Sequence, residues 1–181
     1  MALFQPDYTF SCYRDVTPEF LKQEGIEILL SDIDNTLAPY EQPEPDAHIV
    51  AWAKSLREAG IKLAFLSNNH AQRVELFNKN LGVSLCYDAH KPLAGKAKKM
   101  LKTLGGTKKN SALLGDQIFT DVLCAHNAGI RAVLVPPIKD RTDGGTRFKR
   151  RLEKGFLKRY YKKHPGAPDV RLVSPLRKEH E

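Results

Sequence analysis

Apolar positions along the chain alternate between two patterns. Short continuous runs at Ile26–Leu30, Ile61–Leu66, Val83–Cys86, Ser111–Leu114 and Ile130–Val135 predict strands buried on both faces. Between them the apolar positions recur every three or four residues, which predicts helices. Asp46 caps a helix on which Val50, Ala53 and Leu56 form the apolar face, and Gly60 ends it. Further helices span Ala71–Leu81, closed by Gly82, Leu93–Leu104, closed by Gly105 and Gly106, and Thr120–Ala128, closed by Gly129. Thr17 and Pro18 open a short helix that runs to Gln23. The stretch up to Asp15 reads as irregular, and Pro39–Pro45, with its prolines, as a loop. Single helices alternating with strands predict an α/β fold with a doubly wound, Rossmann-like parallel sheet. Residues 1–136 form this core with an N-terminal extension. Residues 137–181 add a loop, a basic helix and a tail to the same domain.

Sheets of this kind bind ligands outside the carboxyl ends of their strands. The first predicted strand runs into Asp32 and Asp34, the second into Ser67, Asn68 and Asn69. Lys91 follows the third, and Asp116 the fourth, with Asp121 close behind. Carboxylates, a hydroxyl and an ammonium on one rim suit phosphoryl transfer with a hard cation. A phosphate monoester is a dianion, so a carboxylate nucleophile needs its repulsion cancelled by a metal ion and a lysine. Asp34 lies two residues beyond Asp32, on the same side of an extended backbone, where it can serve as acid and base. A calcium loop does not fit. Leu37 stands where the turn glycine belongs, and Pro43 where the bidentate glutamate belongs. His48, His70, His90 and His126 show no shared metal spacing, and no Walker loop or GxGxxG is present.

Four segments carry a family resemblance. Asp32-Ile33-Asp34-Asn35-Thr36-Leu37 resembles the first motif, DxDxT, of the haloacid dehalogenase-like (HAD) phosphatases. Leu66-Ser67-Asn68 resembles their second motif, Lys91-Pro92 the third, and the run from Gly115 to Asp121 the fourth. The resemblance implies Asp32 as nucleophile and Asp34 as acid/base. It implies phosphate binding by Ser67, Asn68 and Lys91. Mg²⁺ would be held by Asp32, the Asp34 backbone carbonyl and Asp116, with Thr36 and Asp121 in support. Gln117 departs from the pattern, since many relatives have a second acid there.

Spacing and charge bear on the substrate. The gaps from Asp34 to Ser67 and from Ser67 to Lys91 leave no room for a folded cap domain, so the site is expected to be open. Net charge is +8, and the segment 147–163, with nine Lys/Arg and Glu153 as its one acid, carries the whole excess. On a helix, Phe148, Leu152, Phe156 and Tyr160, with Leu157 and Tyr161 alongside, would line one side among these cations. That pattern suits peripheral contact with anionic lipid, packing on the protein's own sheet, or, with less support, nucleic acid. Three widely spaced cysteines argue against a disulfide framework, and no apolar run approaches the length of a membrane span. A cytoplasmic protein is expected, with possible contact at the inner face of the membrane. The chain resembles the capless subfamily IIIA, YqeG-type branch of the HAD phosphatases and is similar to phosphatidylglycerophosphate phosphatases. This implies an anionic lipid head group as substrate. A soluble phosphometabolite and an RNA- or ribosome-associated binding module are the alternatives, and the oligomeric state is open.

Overall fold

The computed structural model describes residues 3–139, 144–170, 174 and 176. Six parallel strands form one sheet in the order β1-β6-β5-β2-β3-β4. They are β1 (Tyr8–Thr9), β2 (Ile28–Ser31), β3 (Lys62–Leu66), β4 (Ser84–Cys86), β5 (Ser111–Gly115) and β6 (Arg131–Leu134). The helices are α1 (Pro18–Gln23), α2 (Ala47–Glu58), α3 (Ala71–Asn78), α4 (Gly95–Leu104), α5 (Leu123–Ala128) and α6 (Gly144–Lys163).

Period-two alternation divides the strands between two cores. Leu29, Phe65, Ala112, Leu114 and Val133 face α1, α2 and α3 with Tyr13, Trp52 and Phe77. Ile28, Leu30, Ala64, Leu66, Leu113 and Leu134 face α4 and α5, and Leu157 of α6 joins them. Both faces are covered, which is why the strands read as unbroken apolar runs. The expected doubly wound parallel sheet is present. Its order reverses between β2 and β5, the crevice where such folds bind ligands.

Several local expectations change. The N-terminal stretch is not wholly irregular: Tyr8 and Thr9 pair with Val133 and Leu134 at the sheet edge. Two residues are too few to leave a periodic signal. On α2 the buried face is Ile49, Trp52, Ala53 and Leu56, while Val50 is 38% exposed. Trp52 fixes this rotation, because its indole N–H donates to the Val16 carbonyl at 3.0 Å. Helix α3 stops at Asn78, whose side chain bonds both the N–H and the carbonyl of Val83. Helix α4 begins at Gly95 rather than Leu93, since a turn from His90 to Leu93 precedes it. The helix expected from Thr120 starts instead as one π-helical turn at Ile118–Val122 and continues as α5. Helix α6 is docked. Leu157 and Tyr160 are buried, Phe156 joins an aromatic group with Phe4 and Phe119, and Leu152 is exposed. Phe148 lies outside the residues with described side chains.

The N-terminal segment is held by His126 of α5. Its Nδ1 pairs with the Leu3 carbonyl at 2.8 Å and its Nε2 with Asp7 Oδ2 at 3.2 Å. Asp7 Oδ2 also accepts the Ala132 N–H. The hydrogen bond to Asp7 raises the His126 pKa above the ordinary 6.5, against the opposing effect of burial. A raised pKa in the folded state stabilises the protonated form. The contribution is therefore complete below pH 6.5 and fades as pH rises through the folded value. Replacing His126 by Ala should cost about 1.5–3 kcal/mol at pH 6 and distinctly less at pH 9, read from urea unfolding of both proteins at each pH.

Candidate active site

The carboxyl ends of β2, β3 and β5 and the segment after β4 supply the site. Asp32 follows β2 directly. Its N–H donates to the Leu114 carbonyl of β5, and its own carbonyl accepts from Ser31 Oγ at 2.7 Å. The chain then turns back through Asn35, at φ 65°. Asn tolerates this left-handed conformation better than most residues. Asn35 also clasps the segment after β6: its carbonyl accepts from Ile138 N–H, and its side chain makes both bonds to the main chain of Lys139.

Lys91 is the centre of the charge arrangement. Its Nζ lies 2.9 Å from Asp32 Oδ1 and 2.7 Å from Asp121 Oδ1, and all three side chains are nearly sealed from solvent. Burial alone would lower the Lys91 pKa; the Asp121 and Asp32 carboxylates outweigh it and hold the ammonium above the usual lysine range. Burial pushes Asp32 up to about 7, while Lys91 pulls it down. Asp116 completes the cluster: one carboxylate oxygen each from Asp32, Asp116 and Asp121 lie within 4.8 Å of one another. Thr36 Oγ1 donates to Asp116 Oδ1 at 3.5 Å, a long contact. Three buried carboxylate oxygens this close suit a hard divalent cation.

The predicted residues do not all behave alike. Asp32, Lys91, Asp116, Asp121 and Thr36 converge. Asp34 stands beside them, but its carboxylate is held elsewhere. Arg73 Nε donates to Oδ1 at 3.2 Å, and Asn69 Nδ2 to Oδ2 at 3.2 Å. The family resemblance implies its main-chain carbonyl as the metal ligand and leaves the carboxylate, so held, for acid/base work. Ser67 sits buried at the end of β3, its Oγ accepting from Asn69 N–H at 3.0 Å, which leaves its hydroxyl hydrogen to donate. Asn68 has a structural task as well. Its Oδ1 accepts from Lys91 N–H at 2.7 Å and its Nδ2 donates to the Lys91 carbonyl at 3.0 Å. These bonds set the backbone of Lys91 and leave the second hydrogen of Nδ2 to donate elsewhere.

Gly115 has a steric reason. A Cβ there would lie 2.2 Å from Asp121 Cγ, so only glycine lets Asp121 reach Lys91. The sequence reading placed Asn69 on the rim without a role and missed two other contributors, Arg73 and Glu153. Asn69 and Arg73 hold Asp34. Glu153 of α6, buried, accepts from Ile118 N–H at 2.8 Å and Phe119 N–H at 3.4 Å, bracing the turn that follows Asp116. A lone acid among nine cations was the one available signal for it.

A family model described as haloacid dehalogenase-like hydrolase matches residues 9–135. The chain is 32% identical over 154 residues to the probable phosphatase YqeG of Bacillus subtilis (strain 168), across 85% of this chain and 90% of that protein. It is 27% identical over 183 residues to phosphatidylglycerophosphate phosphatase 1, chloroplastic/mitochondrial, of Arabidopsis thaliana, across 94% of this chain and 52% of that longer protein. A solved structure, titled an uncharacterized protein from Listeria monocytogenes serotype 4b, superposes with a TM-score of 0.51 at 18% identity. The match covers 65% of this chain and 85% of that one and is a likeness of fold.

Replacing Glu153 by Ala strands two amide donors. Hydrogen exchange at Ile118 and Phe119 should accelerate, with a stability loss of about 1.5–3 kcal/mol. Glu153→Gln, which keeps an acceptor, should lie between that variant and wild type in both measurements.

Proposed function

The chain belongs to the haloacid dehalogenase-like hydrolases, and we propose that it is a phosphatase in which Asp32 attacks the phosphorus of a monoester. The observation that carries this reading is Lys91 Nζ, buried and shared between Asp32 and Asp121, with the Asp116 carboxylate within metal-bridging reach. An aspartate nucleophile, a fixed cation and a metal site around a phosphoryl group would require such an arrangement.

In the first half-reaction an Asp32 carboxylate oxygen bonds to phosphorus as the ester bond breaks. Asp34 gives its proton to the departing oxygen. Lys91 and Ser67 donate hydrogen bonds to the phosphoryl oxygens, which gain charge in the transition state. In the second half-reaction Asp34, now a carboxylate, takes a proton from water. The water oxygen attacks phosphorus, inorganic phosphate leaves, and Asp32 is regenerated. Asp32, Asp116 and the Asp34 carbonyl would hold Mg²⁺, with Asp121 near enough to assist. When bound, Mg²⁺ neutralises the charge between the carboxylate and the phosphate.

The substrate we propose is an anionic lipid head group, phosphatidylglycerophosphate. Three observations support it. Between Asp34 and Ser67 stand only the 39–45 loop, α2 and β3, and between Ser67 and Lys91 only α3 and β4, so no cap domain is inserted between these motifs. Helix α6 docks against the turn after Asp116 and exposes Leu152 and Phe156 beside exposed Lys154, Lys158 and Arg159. The plant relative is named for that activity. No helix among the described residues is long and apolar enough to cross a membrane, and α6 would meet the bilayer peripherally.

Asp32→Asn should lower Mg²⁺-dependent phosphate release by about three orders of magnitude or more with unchanged circular dichroism; full turnover by that variant would remove Asp32 as nucleophile. For the substrate, phosphate release should be faster from phosphatidylglycerophosphate in mixed micelles than from sugar, nucleotide or amino-acid phosphates. Binding to vesicles should require anionic lipid, and equal binding to neutral vesicles would remove the electrostatic role of α6.

A further inference from the structure

Arg73 lies in the first turn of α3, and its guanidinium meets three neighbours. Nε donates to Asp34 Oδ1 at 3.2 Å. Nη1 donates to the Pro43 carbonyl, in the loop that stands where a cap would be, at 3.0 Å. The Phe77 ring packs against the guanidinium, 5.1 Å from Cζ to its centroid.

Nη2 is different. It comes within 3.0 Å of the same Asp34 Oδ1, yet it is buried and, among the described residues, forms no aligned hydrogen bond. Nε already uses that oxygen, and Asn69 uses the other one. Buried guanidinium N–H groups without an aligned acceptor are rare in folded proteins and call for a reason. The place of this one suggests the reason. Asp34 is the proposed proton donor to the departing oxygen, so a group within contact of Asp34 stands beside the leaving group. The buried ammonium of Lys91 is engaged with Asp32 and Asp121 on the phosphoryl side.

We propose that Arg73 is a specificity-determining residue that binds a second anionic group, a phosphodiester or a carboxylate, on the leaving group of the monoester substrate. A planar guanidinium suits both acceptors, because its parallel N–H groups match two oxygens of one anion. Asn69 keeps Asp34 in place while Nη2 takes the substrate oxygen. Glycerol phosphate bearing a phosphodiester on its far carbon is one molecule of this class; a phosphorylated hydroxy acid is another. The inference rests on the phosphatase reading above and narrows its substrate.

Steady-state kinetics on water-soluble substrates test it without a membrane. The full chain is assayed with Mg²⁺ on glycerol 3-phosphate, on 3-phosphoglycerate and on glycerophosphoglycerophosphate, the deacylated head group. Wild type should favour at least one anion-bearing substrate over glycerol 3-phosphate by about tenfold or more in kcat/KM, since a site built around a buried donor rejects the analogue lacking the acceptor. The preferred arm separates a diester site from a carboxylate site. Arg73→Gln should erase most of that preference through KM, whatever it costs in kcat on all three, and Arg73→Lys should restore part of it. No preference in wild type, or an Arg73→Gln variant that loses activity equally on all three, would overturn the assignment and leave Arg73 a positioning residue for Asp34. No phosphate release from any substrate would overturn the phosphatase reading itself.

Discussion

One buried ammonium organises this site. Lys91 Nζ is shared by Asp32 and Asp121 at 2.9 and 2.7 Å, with almost no solvent access. Removing one partner of such a cluster leaves uncompensated charge in a poor solvent for it, at a cost of about 3–5 kcal/mol. The neighbouring sequence is shaped by that constraint. Gly115 is the residue that lets Asp121 approach. Asn68 bonds both the N–H and the carbonyl of the Lys91 main chain. Gln117 N–H and Thr120 Oγ1 both donate to Asp121 Oδ2. The positions of Asp32 and Asp121 both follow from where this ammonium is held.

The strand-end residues could be read from the sequence because their placement is local. A strand of known direction delivers Asp32, Ser67 or Asp116 to the rim wherever the rest of the chain goes. The core helices were legible for the same reason, since their apolar spacing and closing glycines lie within a few residues of one another. The fold class follows from their alternation. What could not be read depends on distance. Arg73 reaches back 39 residues to Asp34, and Glu153 reaches back 35 residues to Ile118. No periodicity announces either contact. Asn68 is a further case: its position beside Ser67 suggested phosphate, and its two bonds to the Lys91 main chain, 23 residues on, could not be read from that position. On α2 the choice between Val50 and Trp52 was made by the Val16 carbonyl, which spacing alone does not reveal.

The basic helix joins the two scales. Its cations were obvious as composition, and the way it sits was not. Leu157 and Tyr160 are buried, while Leu152 stays exposed on the same helix. Glu153, the residue least like its neighbours, attaches the helix to the turn that carries the fourth motif. The helix is therefore packed on its own sheet and still presents cations and two apolar side chains outward.

Asn35 has a consequence for how the chain comes to be active. Both of its side-chain bonds go to Lys139, 104 residues further on, and its carbonyl holds Ile138. Those partners leave the ribosome only after the last strand of the sheet. The turn that follows Asp32 is thus made before its clasp and locked late. Asp32 is synthesised about a hundred residues before the segment that clasps its turn, so that turn is not fixed until nearly the whole core has followed it.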